Sequence, residues 1–260
     1  MFQSIRKFVM IIVFTFFVCF SSGIFIFVPS SKGLISIGEP IFFLSALLFG
    51  PSAGAFVGGM GFALADLLLG YPHYIIAALA VKASAGFVMG KVNRYGASIN
   101  RFFSTALSLL LILLFALVGV IIYSGDIYLG YVKTFFLGEE VLKFGGLEVY
   151  SGYIPEWFWV IASIIIAFFI FRGCSKDMRD YGWTGVSLLS GCLIIVFGYF
   201  LYETFILPQI FKVEVDAVAN FYIHAGESIL SATIAFMLNK LIHFKSHQVL
   251  HAFPEGKASA

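Results

Sequence analysis

The chain has 260 residues, of which 60% are hydrophobic and only 12% are charged, against roughly 25% charged residues in a typical soluble domain. A water-soluble fold of this length cannot bury so much apolar surface, so we expect a membrane protein. The formal net charge of +2 is too small to indicate nucleic-acid binding. Cys19, Cys174 and Cys192 are widely spaced without a CxxC pair, so we expect buried thiols.

Apolar runs predict an all-α integral membrane protein, a bundle of about eight transmembrane helices. The first run is longer than the apolar core of a typical signal peptide, so we interpret it as a span. The short second run ends at Gly50 and Pro51, where the proline starts the next helix. The predicted spans are 8–28, 39–50, 52–70, 73–90, 102–123, 157–171, 183–205 and 217–242.

The distribution of basic residues predicts the orientation of the bundle. With the N-terminus in the cytoplasm, the outer loops carry Lys32, Lys133, Lys143 and Lys212, and Lys82 lies within a span. Every other Lys and Arg then lies on the inner side, as the positive-inside rule requires. We therefore expect a multi-pass protein of the cell membrane with both termini cytoplasmic.

The outer loop 124–156 is long and rich in acidic and aromatic residues. Within it, residues 127–144 are predicted to form an amphipathic helix at the membrane interface. Such a helix could be a lid over a site or a passive cap. The polar tail 246–260 is expected to be a frayed cytoplasmic end.

The third predicted span is unusually rich in small residues. Gly54, Gly58, Gly61 and Ala65 recur at helical spacing, so one face of this helix is almost bare backbone. Small faces let membrane helices approach closely, and plain helix packing is the simplest interpretation. No GK[ST] follows these glycines, which excludes a phosphate-binding P-loop.

Ionisable residues inside spans are costly and indicate binding sites. Lys82 lies in the middle of the fourth span and needs an anionic partner, from the protein or from a ligand. Asp66 and Glu203, near the outer ends of their spans, are secondary candidates. Glu39 starts the second helix, where a carboxylate suits the helix dipole, so we expect it to act as a cap.

The last span carries a polar stripe. Asn220, His224 and Glu227 are spaced i, i+4, i+7 and share one helix face. A polar stripe in lipid would be unsatisfied, so we expect it to face the bundle or a cavity. Lys82 and Glu227 are predicted to form a buried pair, with either a binding or a structural role.

The sequence gives little support for an enzyme. HExxH does not occur, and the match to GxSxG at Gly50 to Gly54 joins two predicted helices, not the strand and helix that a nucleophile elbow requires. A membrane enzyme using His224 and Glu227 as acid and base would lack a nucleophile or a metal set. We therefore predict no enzyme activity, no cofactor and no bound metal.

Two stretches resemble a known family. In residues 38–90 a short helix runs into GPSAG, followed by a Gly-rich helix that ends in Asp66 and a helix that closes on Gly90. Residues 198–242 begin with GYFL and carry Asn220 near the head of the final helix. This order is similar to the S component, the substrate-binding membrane subunit, of energy-coupling factor (ECF) vitamin transporters.

The resemblance implies a six-helix core with an inserted helical hairpin. The core helices would occupy 1–98 and 182–245, and the hairpin, with its long extracellular loop, 99–181. A first-helix docking face of small residues, common in the family, is reduced here to Cys19 and Gly23. Metal-transporting relatives carry a histidine after the initiator Met, whereas residue 2 here is Phe, which disfavours a metal substrate.

The resemblance also implies a function. An S component captures a vitamin-like solute outside and docks on a transmembrane coupling protein, and two ATPase subunits drive release inside. No Walker motif occurs in this chain, so ATP use falls to those partners. Lys82 would favour an anionic group on the ligand, and Tyr71 a flat ring. The implied substrate-binding residues are Tyr71, His73, Lys82, Asn220, His224 and Glu227.

An alternative function is a stand-alone, ion-coupled secondary transporter or channel for a small solute. Lys82, Glu227 and Asp66 would then form a proton or ion relay. The sequence shows no inverted repeat of the kind common in such transporters. Uptake without coupling subunits, driven by an ion gradient, would distinguish this alternative from an S component.

Overall fold

The computed structural model describes residues 2–31, 33–95, 101–131, 150–172 and 178–252. In these ranges the chain forms a helical bundle with a small sheet at one end. The helices are α1 (Phe2–Ser21), α2 (Gly38–Phe49), α3 (Pro51–Leu69), α4 (Ile75–Ala77), α5 (Ala83–Tyr95), α6 (Arg101–Ile122), α7 (Glu156–Arg172), α8 (Met178–Leu201) and α9 (Ala217–Ala252). The strands are β1 (Ile24–Val28), β2 (Gly33–Ser36), β3 (Gly125–Tyr131) and β4 (Tyr150–Ile154).

The first helix is shorter than predicted. It ends at Ser21, and residues 24–28 form β1 instead of the last turns of a span. The Ser22 hydroxyl and N–H both donate to the carbonyl of Val18, at 2.6 and 2.9 Å, and complete the last turn. Gly23 and the sequence IFIFV follow, and β-branched and aromatic residues favour an extended chain. The prediction of a helix over 8–28 was therefore wrong at its C-terminal end.

The four strands form one antiparallel sheet in the order β2-β1-β3-β4. In its register, Phe27 pairs with Leu34 on one side and with Tyr128 on the other. The predicted amphipathic helix over 127–144 is wrong at its start, because residues 127–131 belong to β3. The rest of that prediction, 132–144, lies outside the described residues.

Glycines let α3 pack closely on its neighbours, as the sequence predicts. A Cβ on Gly54 would lie 2.6 Å from the carbonyl oxygen of Gly86 on α5, and one on Gly61 would lie 2.8 Å from Val18 on α1. A Cβ on Gly58 would lie 2.8 Å from the carbonyl oxygen of Lys82. Three neighbouring segments thus approach the bare face of this helix, which is how membrane helices gain packing contacts.

Two segments have π-helical geometry. Residues Ala78–Lys82 separate the one-turn helix α4 from α5, and residues Tyr202–Phe211 continue α8. The second segment contains Pro208, which has no N–H to donate and so interrupts the regular helix. Both segments lie at the same end of the bundle as the sheet, and π turns are frequent at functional sites.

Four described helical segments are long and apolar enough to cross a membrane: Pro51–Leu69, Pro72–Tyr95, Trp183–Phe211 and Ala217–Ile242. Gly38–Phe49, Leu109–Ile122 and Glu156–Phe168 are shorter apolar segments. The protein is therefore a predominantly helical membrane protein. The count of eight spans, the cytoplasmic termini and the division into core and hairpin stay predictions. The final helix runs beyond residue 245 to Ala252, and residues 253–260 lie outside the described part.

The close approach of α3 and α5 predicts that Gly86→Ala destabilises the fold. A Cβ there would lie 2.2 Å from the Gly54 carbonyl oxygen, and backbone cannot move aside as a side chain can. We expect a loss of about 1–3 kcal/mol, measured by thermal unfolding in detergent. The control is Gly185→Ala on α8, where nothing lies within 4 Å, and where alanine should be neutral or stabilise by up to about 1 kcal/mol. Equal melting temperatures for the two variants would contradict the packing argument.

Candidate functional site

A cavity of about 500 Å³ lies beneath the sheet at one end of the bundle. Strands β1 and β2 contribute Phe25, Phe27, Leu34 and Ser36 to its lining. The remaining walls come from Ser22, the first turn of α2, the C-terminal end of α3, the segment 71–82, the C-terminal end of α8 with its π-helical continuation, and the first turns of α9. The volume is in the range of pockets that hold small organic ligands.

The buried partner of Lys82 is Glu39, and not Glu227 as predicted. The Lys82 ammonium donates a hydrogen bond to Glu39 Oε2, and the two side chains are 5% and 1% exposed. Glu39 was expected to cap α2, yet its carboxylate lies in the cavity wall. The pair places one positive and one negative charge together, which offsets much of the cost of removing both from water.

Aromatic rings surround the Lys82 ammonium. Its nitrogen lies 4.4 Å from the ring centroid of Phe62 and 5.4 Å from that of Tyr199. Both distances are within the range of cation–π attraction. The lysine is thus held by one carboxylate and two ring faces at the edge of the cavity.

Glu203, a secondary candidate from the sequence, is the centre of a second polar cluster. Its Oε1 accepts a hydrogen bond from the Tyr74 hydroxyl at 3.1 Å and lies 3.3 Å from His224 Nε2. The His224 ring also packs on Tyr199, with centroids 4.6 Å apart. This cluster joins the segment after α3, the π-helical segment after α8, and α9.

The polar stripe of α9 faces the cavity, as predicted. Asn220, His224 and Glu227 all contribute to its lining. Glu227 Oε1 accepts a hydrogen bond from the backbone N–H of Ser36 at 2.8 Å, and so ties α9 to strand β2. This contact replaces the predicted bond between Glu227 and Lys82.

Of the other candidates, Asp66 and Tyr71 line the cavity and His73 does not. Burial raises the pKa of Tyr71, so its phenol stays protonated at neutral pH and can donate a hydrogen bond. His73 packs beside Tyr74 at 4.9 Å between ring centroids, and its carbonyl accepts a hydrogen bond from Tyr202. The structure therefore places His73 outside the cavity lining.

Sequence reasoning missed several lining residues. Glu39, Phe62, Tyr74 and Tyr199 had no binding role assigned, although each contacts Lys82 or Glu203. In the sequence, Glu39 is only a weak sign of a binding site, because a carboxylate at the start of a helix is also favoured by the helix dipole. Within the described residues, no group of three His, Cys, Asp or Glu side chains could hold a metal ion.

The helical segments and the cavity, with its ionisable and aromatic side chains, define a membrane protein with a candidate ligand site. The profile of the family described as "ECF-type riboflavin transporter, S component" matches residues 2–143, more than half of the chain. The chain therefore belongs to this family of ECF transporter S components. The matched region extends past residue 98 and includes α6 and β3.

Similarity to individual proteins is more limited. An uncharacterized protein in a gap 3′ region of Pyrococcus woesei is 41% identical over 63 residues, which are 24% of this chain and 42% of that relative. The match thus covers less than half the length of either protein. No solved structure matches the chain.

The buried ion pair predicts a specific pattern of stabilities. Lys82→Met should destabilise the protein by about 3–5 kcal/mol, because it leaves the Glu39 carboxylate buried without its cation. The double variant Lys82→Met/Glu39→Gln removes both charges and should recover much of that loss. Melting temperatures in detergent give the comparison.

The control for this prediction is Lys91→Met, which removes an exposed lysine from α5 and should change stability by no more than about 0.5 kcal/mol. If the double variant is no more stable than Lys82→Met, the two residues are not coupled as the structure indicates.

Proposed function

We propose that this chain is the substrate-binding membrane subunit of an ECF-type importer. It captures a vitamin or a related small solute from outside the cell and passes it to an ATPase-coupled module. Membership in the S-component family supports this proposal. The observation that carries it is the cavity, where two polar clusters and several aromatic rings converge at one end of the bundle.

The charge pattern favours an outward-facing cavity. The cavity lies at the end where α1 and α3 finish and α9 begins. With the N-terminus in the cytoplasm, this end is the outer one, and Lys91 and Arg94 lie at the opposite, inner end. A solute from outside would then reach the site without crossing the bundle.

Energy for transport would come from partner proteins. No Walker motif occurs in the chain, so we propose a transmembrane coupling protein and two ATPase subunits as its partners. The site is a binding site without catalytic machinery in this proposal. Its aromatic lining, Phe25, Phe62, Tyr74 and Tyr199 among others, suits a flat ring.

Uptake measurements in cells test the proposal. Radiolabelled water-soluble vitamins, riboflavin first because the family is named for it, are supplied to cells that express the chain with or without the coupling protein and ATPases. We expect uptake of one compound only when the module is present. A module with inactivated ATPase subunits is the control and should give no uptake. Uptake driven by an ion gradient without the module would favour the stand-alone transporter and contradict the proposal.

Two histidines provide a matched test of the site. His224 lines the cavity and packs on Tyr199, whereas His73 does not line it. For the compound identified by uptake, His224→Ala should weaken binding about tenfold, which corresponds to about 1.4 kcal/mol. His73→Ala should leave the dissociation constant within about twofold, a range of about 0.4 kcal/mol. Isothermal titration in detergent measures both, and a larger loss for His73→Ala would place the ligand elsewhere.

A further inference from the structure

We propose that the cavity binds a small organic cation, a flat ring whose head group is a protonated, N–H-bearing nitrogen. This inference rests on the proposed function and narrows its substrate class. It reverses the expectation that Lys82 selects an anionic ligand. Three features of the cavity support a cation: the excess of carboxyl groups in the lining, the buried oxygens without partners, and the aromatic walls.

The lining carries more acidic than basic groups. Its carboxylates belong to Glu39, Asp66, Glu203 and Glu227, whereas Lys82 is its lysine and His224 its histidine. Lys82 pairs with Glu39, and His224 lies beside Glu203. Asp66 and Glu227 are two further carboxyl groups of the lining, and neither forms an ion pair with a basic group there.

Lys82 is not free to recruit an anion. Its ammonium is already bonded to Glu39 and lies against the rings of Phe62 and Tyr199. An anionic ligand would have to compete with Glu39 for this nitrogen and would face the remaining carboxylates at short range. Like charges in a site of low dielectric repel strongly, so the lining disfavours an anion.

Two buried carboxylate oxygens lack hydrogen-bond donors. Glu39 Oε1 and Glu203 Oε2 have no partner, although the two residues are only 1% and 3% exposed and both line the cavity. Buried acceptors without partners are costly. A ligand with several N–H groups would satisfy them, and a positive charge on that ligand would strengthen each bond.

Aromatic side chains in the lining suit a flat ring on the ligand. Tyr74 donates to Glu203, and Tyr199 packs against His224, so both aromatic groups lie beside the carboxylates. Aromatic faces attract cations as well as flat rings. A planar head with a delocalised positive charge therefore matches both the rings and the acceptors.

Three fragments of nearly equal shape differ in charge, so they test whether the charge of a ligand decides how well it binds. Benzamidine is a cation at neutral pH, benzamide is neutral with an N–H donor, and benzoate is an anion. Each is titrated against the purified native chain by thermal shift, with riboflavin as a fourth ligand. We expect benzamidine to raise the melting temperature most and benzoate least. Because this ranking uses the native chain, it does not depend on the folding of any variant.

A pair of Glu→Gln variants locates the effect. Glu203→Gln removes a carboxylate of the cavity and should weaken benzamidine binding at least about tenfold while changing benzamide binding little. Glu214→Gln, the control, removes an exposed carboxylate outside the lining and should leave the ranking unchanged. If Glu203→Gln does not fold, Asp66→Asn is the second variant and should reduce the preference for benzamidine in the same direction.

Three outcomes overturn the inference: a larger shift with benzoate, equal shifts with all three fragments, or no shift with any. If riboflavin binds and benzamidine is not preferred over benzamide and benzoate, the inference is also overturned, whereas the proposed function stands. Uptake without a coupling module would instead contradict the proposed function and leave the fragment ranking standing.

Discussion

The ion pair between Lys82 and Glu39 constrains how the helices around the cavity pack. Each charge is buried deeply enough that it would be very costly without the other. The pair therefore fixes the first turn of α2 against the π-helical turn that precedes α5. Helix α3 packs on both, and its Gly58 lies against Phe42 and the Lys82 backbone. A larger residue at that position would push apart the two segments that the ion pair holds together.

Lys82 and Glu203, the central residues of the two polar clusters, both lie in π-helical segments. Lys82 ends one π-helical segment and Glu203 lies near the start of the other. A π turn inserts an extra residue into the helix and so rotates the side chains that follow it. In both places the rotation accompanies a buried ionisable group in the cavity lining, next to the rings of Tyr199 and Tyr74.

Much of the helical framework could be predicted from the sequence, because apolar runs and the turn at Gly50 and Pro51 mark element boundaries directly. The stripe of Asn220, His224 and Glu227 was also predictable, since helical periodicity fixes which residues share a face. The partner of Lys82 was not predictable in this way. Periodicity gives the face of a helix but not which of several carboxylates on other helices lies within reach.

Strand β1 shows a second limit of sequence reasoning. Its residues IFIFV follow an apolar helix after only Ser21, Ser22 and Gly23, and a short apolar run is compatible with either helix or strand. What distinguishes the two is pairing with the neighbouring strand β2 and with β3, which comes from a distant part of the chain. Gly23, directly before the strand, was the local sign in the sequence that the helix ends.

A chain of hydrogen bonds connects α7 and the C-terminal end of α6 to the cavity. Trp159 Nε1 on α7 donates to the carbonyl of Tyr123, and the Tyr123 hydroxyl donates to the carbonyl of Leu34, which lines the cavity. Two residues further along β2, the N–H of Ser36 donates to Glu227 on α9. Strand β2 is thus held by Tyr123, which follows α6, and by the polar stripe of the last helix. Because these bonds fix a strand that lines the cavity, α6 and α7 contribute to the shape of the site even though Trp159 and Tyr123 are not in its lining.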